Sequence, residues 1–151
     1  FHVPPRAPAR QAAASAPTPP APEAVAFVER TLADREQPVV MFALEWCEFC
    51  WSVRKMFAKL RIPYRSVDLD SVAYQKDNWG GEIRTAHTAR TAFTTIPQIF
   101  IGGEFIGGAT DALEAWKQGK LQKLLNNNRV SYDTDAKVDP YSFLPSWLHP
   151  R

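Results

Sequence analysis

The chemistry-bearing residues of this 151-residue chain are two cysteines, Cys47 and Cys50, in the stretch E-W-C-E-F-C-W over residues 45–51. A pair at this spacing can be a redox couple, half of a metal site or two unrelated core thiols. Its surroundings separate these. The apolar run V-V-M-F-A-L over 39–44 precedes it. Its length and β-branched content predict a strand buried on both faces. After it, Val53, Met56, Phe57 and Leu60 recur at i, i+3, i+4 and i+7, a helical face. Cys47 thus falls where a strand ends and a helix begins. The first turn of a helix offers unpaired N–H groups and a partial positive charge, which favour the thiolate, the form that attacks. Cys50 lies three residues on, and residues i and i+3 share a helix face. The arrangement predicts an exposed nucleophile, Cys47, and a more buried resolving thiol, Cys50. A structural zinc centre needs four ligands. The remaining candidates are His2, His87 and His149, two of them in terminal segments, so no metal is expected.

The elements that position this pair follow from periodicity. Residues 23–36 read as a helix, with Val25, Val28 and Leu32 on one face and Pro38 ending it. A second strand is expected over 64–70. Residues 71–81 read as a loop, and a helix is expected from Glu82. Pro97 opens a third strand, Q-I-F-I. Gly102 and Gly103 supply a turn, and E-F-I-G-G returns as a fourth strand. A last helix starts near Thr110 or Asp111 and runs through Trp116, with a further helical piece over 121–125. Two strands joined by a helix should be parallel with a right-handed crossover, and the hairpin adds an antiparallel pair. The fold class is therefore α/β, a mixed four-stranded sheet with helices on both faces.

Composition bounds the rest. The chain is 45% hydrophobic and 23% charged, with a net charge of +2. Neither a nucleic-acid partner nor a membrane is expected, since no basic patch stands out and no apolar run reaches the length of a spanning helix. Residues 1–22 are dominated by Pro and Ala. They cannot bury a core and read as a disordered linker. Their Arg6 and Arg10 without an acid also suit a transit-peptide remnant. The location is then cytoplasmic, or an organelle if that segment is such a remnant. The chain does not begin with Met, which fits a processed protein or a piece of a longer one. Residues 126–151 form a polar, then Pro-rich tail whose aromatics could dock on the domain or on a partner.

Three motifs together carry a family resemblance from about Ala24 to Leu125, within a domain expected over 23–125. C-E-F-C stands before a helix, T-I-P follows about fifty residues on, and G-G-A-T-D comes after a short hairpin. The chain resembles a glutaredoxin of the C-x-x-C dithiol type. The resemblance implies a thioredoxin-like fold. It also implies a glutathione-dependent thiol–disulfide oxidoreductase, with glutathione as co-substrate and disulfide or glutathionylated proteins as clients. A monomer is expected. Carried across, Cys47 matches the nucleophile and Cys50 the resolver. Thr95, Ile96 and Pro97 match the cis-proline loop whose backbone pairs with bound glutathione. Gly108, Thr110 and Asp111 match the segment for its γ-glutamyl end, and Phe49 matches an aromatic position beside the thiol.

The chain departs from the family pattern at several positions. Glu48 stands where Pro is usual after the first cysteine, and Glu45 adds a second acid. Leu44 and Phe93 replace a lysine and a basic or amide residue that normally help hold the glycyl carboxylate of glutathione. Arg54 and Arg90 are candidate substitutes. Trp46 and Trp51 bracket the motif, either as a docking surface or as core residues. Trp79 would cover the site or, as the better expectation, pack on the core. Two other readings stay open. One is an iron–sulfur-cluster or partner-binding module with little catalysis. The other is a redoxin reduced by a thioredoxin reductase. The cluster is not the favoured reading.

Overall fold

The computed structural model describes residues 19–145. The Pro/Ala-rich segment lies almost wholly outside them, as do His2, His149 and the last residues of the tail. A first helix, α1 (Pro22–Ala33), leads to strand β1 (Val39–Ala43) and helix α2 (Glu48–Lys59). Strand β2 (Arg65–Asp68) follows, then helix α3 (Trp79–Thr91). The hairpin is β3 (Gln98–Ile101) and β4 (Glu104–Gly107), and the chain continues into α4 (Ala109–Gln118) and α5 (Lys120–Asn127). The sheet order is β2-β1-β3-β4. β1 runs parallel to β2 and antiparallel to β3, and β3 pairs antiparallel with β4. This is the mixed sheet expected, with helices on both faces in a thioredoxin-like arrangement.

All five residues of β1 are buried, because the strand is covered on both sides. Val39, Met41 and Ala43 join one core with Val53, Met56 and Phe57 of α2 and Leu113 of α4. Val40 and Phe42 join the other, with Val28 of α1 and Ile83 of α3. The period-2 alternation of a strand explains the split: neighbouring side chains point to opposite faces.

Two differences from the expected elements have physical causes. α1 ends at Ala33, because Asp34 turns to extended backbone (ψ 109°) and its carboxylate takes the N–H of Glu36 at 2.9 Å. α3 begins at Trp79 and contains the Gly80-Gly81 pair expected to be loop. Gly80 is there for close approach: a Cβ would fall 1.9 Å from the carbonyl oxygen of Leu69. Trp79 packs edge-on against Phe27 at 5.8 Å, so it serves the core.

Beyond α5, residues 128–144 fold back along α4 and α2. Asp133 donates its N–H to the Leu60 carbonyl at 2.7 Å. Tyr132 meets Trp116 edge-on at 5.9 Å. Tyr141 hydrogen-bonds Glu114, and Lys117 Nζ lies 5.5 Å from its ring centroid. Val130 is buried, and Phe143 and Leu144 pack on the core beneath α4.

Candidate active site

The sheet register brings the predicted residues to one end of the domain. Phe42 pairs with Gln98, and Ile99 pairs with Gly107. The C-terminal end of β1, the N-terminal end of β3 and the C-terminal end of β4 therefore coincide. Cys47 follows the first, Thr95-Ile96-Pro97 precedes the second, and Gly108 follows the third. The N-termini of α2 and α4 open at this same end.

Cys47 is the N-cap of α2, with extended backbone (φ −144°, ψ 115°). Its Sγ accepts the N–H of Cys50 at 3.3 Å. A helix amide thus points at the sulfur, where it stabilises negative charge. Cys47 is half-buried, Cys50 is fully buried, and both are free thiols. Burial pushes the Cys50 thiol up to about 12, helped by its hydrogen bond to Cys47. Cys50 therefore stays protonated at neutral pH. Phe49, between them, is half-buried and packs on the core.

The segment ahead of Cys47 is tied down from β2 and α2. Leu69 donates to the Ala43 carbonyl at 2.9 Å, and Glu45 N–H donates to Asp70 Oδ1 at 2.8 Å. Arg54 reaches the Leu44 carbonyl at 3.3 Å while pairing with Asp68 at 2.8 Å and Ser66 at 2.8 Å. Trp51 Nε1 donates to the Glu45 carbonyl at 3.0 Å. Arg54 is thus engaged in holding the loop. Arg90 pairs with Glu29 across to α1. Both arginines are thus held in ion pairs, and the charge of Arg54 still reaches Cys50, where it opposes the rise caused by burial.

The Ile96–Pro97 peptide bond is cis. Pro97 is buried, Ile96 half-buried and Thr95 exposed. A side chain that sequence reasoning passed over shapes this loop. Gln98, fully buried, donates from Nε2 to the carbonyls of Phe93 and Thr95. Its Oε1 meets the Thr91 hydroxyl at 3.1 Å and His87 Nδ1 at 3.0 Å. Because that oxygen only accepts, Nδ1 carries the imidazole proton. His87 is stacked on Phe42 at 4.5 Å, and its buried Nε2 has no partner. Burial lowers its pKa to about 4. A second overlooked residue is Arg84, exposed on α3, which donates to the Thr94 carbonyl at 3.2 Å and so lies beside the loop. Its position within α3 gives no sign of this in the sequence.

At the third segment, Gly108 caps α4 and its N–H donates to Asp111 Oδ2 at 2.8 Å. Gly107 adopts φ 119°, and a Cβ there would fall 2.4 Å from Asp111 Oδ2. The glycine is what lets the carboxylate lie against the chain. Thr110 and Asp111 are exposed, and Gly108 is buried close to the Phe93 ring and the Pro97 carbonyl. No group of three or more His, Cys, Asp or Glu side chains among the described residues is arranged to hold a metal ion. No helix among them is long and apolar enough to cross a membrane.

The chain is similar to known proteins. The glutaredoxin family model matches residues 39–106. Glutaredoxin-C1 of Arabidopsis thaliana is 34% identical over 101 residues, which cover 67% of this chain and 77% of that one. Monothiol glutaredoxin-S10 of rice is 32% identical over 99 residues, covering 66% of this chain but only 57% of the relative's length. Among solved structures, the buckwheat glutaredoxin–glutathione complex superposes with a TM-score of 0.61 at 29% identity, over 73% of this chain and 97% of that one. A helix-capping thiol above a buried partner, a cis-proline loop and a second helix start beside it, in a chain this similar to established relatives, place the protein in the glutaredoxin family, whose members are thiol–disulfide oxidoreductases.

Proposed function

We propose that the protein reduces glutathione mixed disulfides and protein disulfides through Cys47 and Cys50, with glutathione as reductant. The observation that carries this reading is Cys47 Sγ at the N-cap of α2, accepting a helix N–H at 3.3 Å above a buried, protonated Cys50. The Cys47 thiolate attacks the glutathionyl sulfur of a mixed disulfide. The S–S bond breaks, and the client leaves as a thiolate that takes a proton from solvent. A second glutathione thiolate then attacks the glutathione on Cys47, which yields oxidised glutathione and restores the Cys47 thiolate. With a protein disulfide, Cys47 is joined to the client instead. Cys50 then loses its proton and attacks Cys47, so the client departs reduced and an internal disulfide forms. Two glutathiones reduce it.

Glutathione would lie along the cis-proline loop, its cysteinyl backbone paired with Ile96 beside Thr95 and Pro97. Its γ-glutamyl carboxylate would meet the N-terminus of α4 at Gly108 and Thr110, with its ammonium at Asp111 and Phe49 flanking the sulfur. Arg84 supplies the cation near the loop that Leu44 and Phe93 do not. The test is turnover of a glutathione mixed disulfide by wild type, Cys47→Ser and Cys50→Ser. Activity should vanish in Cys47→Ser and persist in Cys50→Ser, while protein-disulfide reduction should need both. Full activity in Cys47→Ser would refute the assignment. Reduction by a thioredoxin reductase, with no use of glutathione, would refute the choice of reductant.

A further inference from the structure

The rim of the thiol carries two features that the reaction above does not use: surface tryptophans and carboxylates. Among the described residues the exposed large apolar side chains are Val25, Trp46, Trp51 and Val72. Trp46 directly precedes Cys47, and Trp51 directly follows Cys50. Trp46 is 81% exposed and Trp51 40%. Their ring centroids are 5.8 Å apart, with the planes tilted by 57°. Trp51 is held in place by its Nε1–H bond to the Glu45 carbonyl at 3.0 Å. Val72 lies two residues past Asp70, which takes the Glu45 N–H, so this side chain belongs to the same end of the domain. Fixed, exposed aromatics bind with little loss of side-chain freedom, and tryptophans are frequent anchors of protein interfaces.

Carboxylates stand beside these rings: Glu45 directly precedes Trp46, and both Glu45 and Asp70 are exposed. Arg54, the cation nearest in the fold, is paired with Asp68 at 2.8 Å. Lys55 stands one helical turn beyond Trp51, and Lys76 lies further along the chain from Asp70. A Lys or Arg brought to this rim meets both carboxylates and aromatic faces, each of which attracts a cation.

We propose that the Trp46/Trp51 rim, with the carboxylates of Glu45 and Asp70, docks polypeptide clients whose glutathionylated cysteine is flanked by Lys or Arg. The inference rests on the thiol chemistry proposed above. In that step Cys47 takes the glutathionyl group, the client cysteine leaves as a thiolate, and a second glutathione removes the group as oxidised glutathione. The rim acts on the client chain before the S–S bond breaks. Small mixed disulfides, which lack a flanking chain, gain nothing from it.

The test compares three substrates with the full chain. Two are glutathionylated short peptides, identical except for Lys or Glu on either side of the cysteine. The third is the mixed disulfide of glutathione and 2-mercaptoethanol. Wild type should favour the Lys peptide over the Glu peptide by about tenfold in kcat/KM at low ionic strength, with the gap narrowing as salt is added. Trp46→Ala and Glu45→Gln should each lower turnover of the Lys peptide by about three- to tenfold and leave the small substrate within about twofold of wild type. Equal rates for the two peptides, or variants that slow all three substrates alike, would overturn the docking surface while leaving the thiol chemistry standing. A wild type inactive on the small substrate would overturn the thiol chemistry itself, and this inference with it.

Discussion

His87 makes the domain sensitive to acid in a way that can be worked out in advance. Its imidazole is buried between Phe42 and Gln98, donates from Nδ1 and leaves Nε2 unpartnered. A proton on Nε2 would place a charge in the core with nothing to receive it. The folded-state pKa is accordingly lowered from 6.5 to about 4, mainly by burial; the hydrogen bond to Gln98 opposes this in part, and the charge of Arg84 adds a smaller lowering. Between these values the unfolded chain binds a proton that the folded chain refuses, so stability falls as pH falls through this window. The full difference corresponds to roughly 3 kcal/mol, of which about 2 kcal/mol is lost between pH 7.0 and 4.5. Urea unfolding of wild type and His87→Leu at both pH values isolates the effect, because the carboxylates titrate in both proteins and cancel in the comparison. The variant keeps Gln98 anchored through Thr91. Wild type should lose about 2 kcal/mol more than the variant over that interval. Equal losses in the two proteins, or a greater loss in the variant, would refute the reasoning.

Three other outcomes follow from single contacts. Gly80→Ala places a methyl 1.9 Å from the Leu69 carbonyl oxygen, where only backbone movement relieves it; the urea midpoint should drop by an amount equivalent to about 3 kcal/mol or more. Arg84→Ala removes an exposed side chain, so thermal stability should change little, while KM for glutathione rises by about three- to tenfold, as expected for one surface carboxylate contact. Deleting residues 129–151 uncovers the face of α2 and α4 and should lower unfolding free energy by at least the roughly 1.5–3 kcal/mol of a buried aliphatic side chain such as Val130.

Much of the fold was legible because local pattern and tertiary role agree. β1 reads as a strand covered on both faces because it is one, and the i, i+3, i+4, i+7 face of Val53, Met56, Phe57 and Leu60 is the face that α2 buries. The start of α3 was not legible. A Gly-Gly pair reads as a turn by its conformational freedom, whereas Gly80 is required by how near Leu69 passes, a tertiary fact. The candidate site divides the same way. Cys47 and Cys50 are picked out by spacing and the T-I-P and G-G-A-T-D motifs by family resemblance, and the register brings their segments to one end. Gln98 looked like an ordinary strand residue, yet it fastens the Phe93 and Thr95 carbonyls from within the core. The arginines could not be ranked for a related reason. Nothing local distinguishes Arg54 and Arg90, tied to Asp68 and Glu29, from Arg84, whose reach to Thr94 depends on how α3 returns to the sheet.

The segment that folds back over α4 and α2 changes what α2 is. A helix carrying a thiol pair at its tip would ordinarily face water on its outer side and could shift outward when the pair changes oxidation state. Here the turn at Pro140–Phe143 lies against both α2 and α4, and the Leu60 carbonyl just past α2 is tied to Asp133. The segment ahead of α2 is fastened as well, through Glu45 to Asp70 and through Leu44 to Arg54. The thiol pair therefore sits on a helix braced at both ends, and the brace behind it comes from a part of the chain that lies beyond the last helix.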